Sequence, residues 1–112
     1  MSLKISKNTA SNIANIIASF INRAKIYFSD NTDYITDSVF SEVIEDNANL
    51  SYIINIMFSV NLDSNKTITK IEYYQVAFPS DVLILLKDEM NLELTAGINS
   101  ISHQLSLSYQ VE

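Results

Sequence analysis

The chain has 112 residues, enough for one domain with a single core; 47% are hydrophobic and 18% charged, a globular balance that excludes intrinsic disorder. A net charge of −6 argues against binding along a phosphate backbone, which needs clustered lysine and arginine. Without cysteine there is no disulfide, thiolate metal site or cysteine nucleophile; with one glycine and one proline, turns fall to asparagine, aspartate and serine.

Residues 1–29 carry Lys4, Lys7, Arg23 and Lys25 and no acid, whereas everything from Asp30 onward carries all the acids against Lys66, Lys70 and Lys87. Such a basic segment either steers docking to an acidic neighbour or lies against its own body. Leu3 and Ile5 alternate with polar residues, which predicts a short leading strand. Ser6 or Asn8 then offers a helix N-cap. Ile13, Ile16, Ile17, Phe20, Ile21 and Ala24 follow at helical spacing, one apolar stripe for packing on a sheet or on a copy of itself. Asn15 and Ser19 break that stretch as a signal peptide, and no apolar run reaches the length of a membrane span.

Ile26, Tyr27 and Phe28 read as a strand and Asp30 to Asp33 as a polar turn. Tyr34 to Asp46 fits either a short helix or a strand, and periodicity leaves both open. From Leu50 to Leu62 every even position is apolar, while the odd positions are polar except for Ile53 and Met57. The even face of this strand is therefore core, and the odd face is wet or lightly covered. Asp63 to Lys66 reads as a hairpin connection into a second strand, Thr67 to Phe78, whose apolar parity shifts between Tyr73 and Tyr74 as a bulge would shift it. Pro79-Ser80-Asp81 predicts a turn. Val82 to Leu86 resembles a strand covered on both faces, ended by Lys87-Asp88-Glu89. The tail alternates with a slip at Gly97 to Ser100, where the single glycine suits a turn needing positive φ. The carboxy-terminal half thus reads as one antiparallel meander of about five strands, and the whole as residues 1–25 (leader strand and helix) followed by a sheet over 26–112.

Candidate chemistry is thin. His103, the only histidine, stands on the apolar parity of the last strand, so a half-buried structural role outweighs a catalytic one, and a zinc site would need an unusual set of carboxylates. The acidic groups Asp88, Glu89, Glu93 and Glu42, Glu45, Asp46 lack calcium-loop spacing and read as solvated turns. Tyr73, Tyr74 and Tyr109 read as sheet filler with a wet hydroxyl, since only Lys70 supplies nearby positive charge for a nucleic-acid platform. One glycine cannot build a phosphate loop. No cofactor, metal, nucleic acid or membrane partner is expected, and no catalytic residue.

Ser2 to Ser6 with its following helix, Ala24-Lys25-Ile26-Tyr27-Phe28-Ser29, Ile68 to Tyr74 before Val82 to Leu85, and the closing Leu92-to-Gly97 and Ile101-to-Val111 strands resemble small virion proteins of tailed bacteriophages. The glycine-rich turns of that pattern are absent after the first strand, where Asp30 to Asp33 stand instead. The resemblance implies a non-enzymatic structural part of a capsid, connector or tail, located in the virion after assembly in the host bacterial cytoplasm. Its partners would be copies of itself and neighbouring virion proteins.

The expected fold is α+β or mainly β: an antiparallel, jelly-roll-like β-sandwich with one amino-terminal amphipathic helix. The expected partner contacts are Lys4, Lys7, Arg23, Lys25, Ile53 and Met57. The alternative is a small cytoplasmic module that captures a ligand or peptide in a pocket or at an exposed sheet edge.

Overall fold

The computed structural model describes residues 5–77 and 81–111. Among them lie one helix, α1 (Lys7–Phe20), and seven strands: β1 (Arg23–Phe28), β2 (Asp33–Thr36), β3 (Phe40–Asp46), β4 (Ser51–Leu62), β5 (Lys66–Ala77), β6 (Asp81–Leu94) and β7 (Gly97–Ser108). They form a four-stranded sheet in the order β2-β1-β5-β6 and a three-stranded sheet in the order β3-β4-β7, and every neighbouring pair is antiparallel. The protein is mainly antiparallel β with one helix. No described helix is long and apolar enough to cross a membrane.

The helix begins where the sequence predicts. Ser6 caps it, its hydroxyl accepting from the Thr9 amide. Its buried face is turned from the expected stripe, however. Ala10 and Ala14 are fully buried, with Ile17 and Ala18 packed beside them, while Ile16 and Phe20 face solvent. Two alanines let the helix lie close against the inner face of the three-stranded sheet, and the larger side chains swing to the flanks. The helix stops at Ile21, so Ala24 belongs to β1. Of the leading strand, Leu3 lies outside the described residues; Ile5 accepts a hydrogen bond from the Gln110 amide, and Ser6 bridges Gln110.

Tyr34 to Asp46 resolves as two strands, β2 and β3. β4 is the centre of its sheet. Ile54, Ile56, Phe58, Val60 and Leu62 are buried on its even face, as the alternation requires, whereas Leu50, expected on that face, lies in the turn before the strand at positive φ and is exposed. Two of the odd-face residues, Ser51 and Asn55, are buried as well; Asn55 accepts from the Ser102 hydroxyl at 2.7 Å. A register shift falls between Tyr73 and Tyr74, with a second between Ile68 and Lys70, but the extra residue at the first is Leu85 on the partner strand β6 and not a residue of β5. β5 keeps its own alternation there, with Tyr73 in the core and Tyr74 on the face of Glu72.

Three expectations need correction. Asp63 to Lys66 is no hairpin connection: β4 pairs with β3 and β7, and β5 with β1 and β6, so the chain crosses here from one sheet to the other. It crosses back at Thr95-Ala96, and the carboxy-terminal half is four strands shared between two sheets rather than one meander. Residues 82–86 do not form a strand covered on both faces. They belong to the edge strand β6, which continues through Lys87, Asp88 and Glu89 to Leu94, and Ile84 is exposed. The apolar run instead reflects the bulge: Leu86 opposes Tyr73 and Ile84 opposes Tyr74, so Leu85 is the extra residue between them, and Leu85 and Leu86 both pack against the core. The predicted turn at Pro79 and Ser80 lies outside the described residues.

Both crossings lie side by side. Leu62 pairs with Gly97 on one side of them and Lys66 with Leu94 on the other, so β4–β5 and β6–β7 are the arms of one long antiparallel ribbon bent in its middle. Side chains hold the bend: Asn65 accepts from the Ala96 amide at 2.9 Å, and Asn99 donates to the carbonyls of Thr95 and Gly97. Gly97 itself sits at φ +105°, in the region that favours glycine. A single apolar cluster then draws from both sheets and the helix, with Ile26, Ile54, Ile68, Ile71 and Val60 at its centre.

Candidate functional site

The three described cations of the basic segment are already paired within the chain. Lys7 Nζ lies 2.6 Å from Glu45, and Arg23 grips Asp37 through two hydrogen bonds of 2.6 and 3.1 Å. Lys25 is 3.8 Å from Asp33, with its ammonium over the Tyr27 ring. The Arg23 guanidinium holds the Asp37 carboxyl below the usual carboxylate range, and the hydrogen bond to Glu45 raises Lys7. The basic segment therefore neutralises its own body. Lys4 lies outside the described residues.

Ile53 and Met57, the two apolar residues of the odd face, stand on the outer surface of the three-stranded sheet. Ile44 is opposite Ile53 and Phe40 opposite Met57, and both partners are exposed, Phe40 to 60%. The four make an apolar strip on either side of Asn55 and Glu42. Sequence reasoning missed Phe40 and Ile44, because a helical reading of Tyr34 to Asp46 counts them as core.

On the outer face of the four-stranded sheet, Glu72 is buried between two tyrosines, and the Tyr27 and Tyr74 hydroxyls both donate to its Oε1. These bonds hold the carboxyl below the ordinary glutamate range against the opposing effect of burial, with Lys70 and Lys25 adding to them. A depressed folded pKa means stability that is fully present above the unfolded value, about 4.3, and lost as pH falls through the folded value. Glu72→Gln is expected to flatten the acid limb of stability, so that the gap to wild type in urea midpoint narrows steadily below about pH 4. A constant gap from pH 7 to pH 2 would refute this role for the carboxylate.

The two sheets are open along the side where the edge strands β6 and β7 face each other. There His103 on β7 lies between Tyr73 of β5 and Asp88 of β6, with Nδ1 2.7 Å from the Tyr73 hydroxyl and Nε2 2.9 Å from the Asp88 carboxylate. A carboxylate can only accept, so Nε2–H donates to Asp88, and in the neutral imidazole Nδ1 then accepts from Tyr73 O–H. Burial, with the charge of Asp88 added, pushes the Tyr73 hydroxyl above the ordinary tyrosine range, so it stays a proton-holding donor. The triplet is a brace tying three strands across the opening. Below it is a cavity of about 300 Å³ lined by Ile56, Leu86, Leu105 and the brace, with Lys87 and Gln104 at its rim. The sequence places His103 on the buried parity but gives no sign of its partners, because Tyr73 and Asp88 reach it only through the crossing between sheets.

Among the described residues no three histidine, aspartate or glutamate side chains gather as a metal-holding group. No family model matches the chain, and neither a curated protein nor a solved structure matches it.

Proposed function

We propose that this chain is a non-enzymatic structural protein that acts by assembling with copies of itself, as a capsid, connector or tail part of a bacteriophage particle. The observation that carries the reading is the outer apolar strip of Phe40, Ile44, Ile53 and Met57. The core is built from other residues, so folding of one copy leaves this strip in water, and burial against another protein is what would stabilise it. The bent ribbon supports the finer fold reading, in which the two sheets pack as a sandwich in the jelly-roll manner, an architecture used in viral capsids. That likeness is analogy at the level of fold, so the strip carries the argument.

Light scattering across a concentration series tests this. The wild type should exceed the mass of one chain, and Phe40→Ser with Met57→Ser should lower the mass of the assembly with an unchanged circular dichroism spectrum. A wild type that stays at one chain's mass at millimolar concentration would sink the reading. One observation favours the second reading, capture of a small ligand: the cavity beneath the His103 brace has apolar walls and a polar rim.

A further inference from the structure

Among the described residues four strands form sheet edges, and three of them are guarded. β2 has only four residues and begins with Asp33; β3 carries Glu42, Glu45 and Asp46; β6 carries Lys87, Asp88, Glu89 and Glu93. Short length and charge are the usual protections of an edge against pairing with another chain. β7 has neither. Over twelve residues, Gly97–Ser108, it contains no acid, lysine, arginine or proline, and His103 is its one titratable side chain.

Among the described residues, the hydrogen-bonding groups along its outer edge that have no partner can be assigned. The Tyr109 amide donates to the Leu50 carbonyl, continuing the register in which Ser51 opposes Ser108. In an antiparallel ladder the direction alternates, so the odd residues of β7 turn their N–H and C=O towards β4 and the even residues turn theirs outward. The Gln110 amide, on the outward parity, accordingly reaches Ile5 and not β4. The amides and carbonyls of Ser100, Ser102, Gln104, Ser106 and Ser108 thus line the edge, and their side chains are exposed.

We propose that this edge pairs antiparallel with the same strand of a second copy, about a two-fold axis at Gln104, making one continuous six-stranded sheet. The sequence is self-complementary in that register. Ser102 meets the other copy's Ser106 and Ser100 its Ser108 on the outer face; Ile101 meets Leu107 and His103 meets Leu105 on the inner face. Two bodies of net charge −6 repel, and β7 is the edge along which they touch without opposing acids. The open cavity between β6 and β7, walled by Ile56, Leu86 and Leu105, gives room for the incoming strand's Leu105. The inference rests on the self-assembly reading and names an isologous contact distinct from the outer strip.

The absence of cysteine makes the test clean. Residues opposed at the axis have Cα atoms about 5.5 Å apart, within the reach of a disulfide. Gln104→Cys, oxidised with diamide at a concentration where the wild type is dimeric, should give a cross-linked dimer in high yield. Ile98→Cys on the same strand, 78% exposed but beyond the end of the shared ladder, where Ile5 already takes the Gln110 amide of the second copy, should not. Gln104→Pro removes only an outward amide from each copy, which an edge strand tolerates, and should weaken dimerisation about ten- to hundredfold with an unchanged melting temperature. Equal cross-linking at 98 and 104, or undiminished dimerisation of the proline variant, would overturn the edge contact. If the outer-strip variant still dissociates in that case, the function stands and only the edge proposal fails. A chain that dimerises only after deletion of residues 1–4 would assign the edge to its own leader, and that too would overturn it.

Discussion

Ile54→Ala is expected to lower stability by about 2–5 kcal/mol, read as a shifted urea midpoint at unchanged slope. Ile54 has no exposed surface and lies in the middle of β4, where the sheet's inner face meets the cluster shared with the helix and the other sheet. Truncation removes three carbons from a close-packed site with strands on both sides, Val43 on β3 and Leu105 on β7, that are fixed by their ladders and cannot close the gap. The neighbouring Met57→Ala, on the outer face, should cost under about 1.5 kcal/mol because part of that side chain is already in water. Equal losses at the two positions would contradict the assignment of the faces.

The second large effect is expected at Gly97. Its φ of +105° is one that residues with a Cβ rarely adopt, and a Cβ placed there would meet nothing within 4 Å. The cost of Gly97→Val is therefore conformational and not steric crowding, about 1–3 kcal/mol for holding a branched residue in that region. Introducing D-alanine at this position by chemical synthesis, which favours positive φ, should retain wild-type stability within about 0.5 kcal/mol. If D-alanine and L-valine destabilise alike, the backbone argument is wrong.

These two residues also mark what the sequence makes legible. The alternation from Leu50 to Leu62 identifies a half-buried strand because period two has few other physical sources, and the lone glycine marks a bend because few other residues serve there. The adjacent Tyr73 and Tyr74 mark the place of a register shift, but the extra residue, Leu85, is on the partner strand, where the continuous apolar run hides it. Periodicity reports which face is buried but not what buries it. That is why Asp63 to Lys66 reads as a hairpin: a polar break between strands looks the same whether the chain turns back or passes to another sheet. Phe40 and Ile44 are hidden in a similar way, since an apolar residue on an outward face has the same letters as one in the core. His103 is legible as half-buried, whereas its two partners are set by a tertiary crossing with no local trace.

The bent ribbon has a consequence for how the protein reaches its native state. Ser51 and Ser108 are paired, yet they stand far apart in the chain, and closing so long a loop directly would be slow. The ribbon offers another order. Once Ala77 meets Asp81, each further pair along β5 and β6 closes only a short additional segment, until Lys66 and Leu94 are reached. The same zipping then passes the bend and continues from Leu62 and Gly97 down β4 and β7. Hairpin formation takes microseconds, so the topologically distant pairs are gathered by a succession of local steps. The bend, with Asn65 and Gly97, is the point where that progress halts or continues, and substitutions there should slow folding more than they speed unfolding.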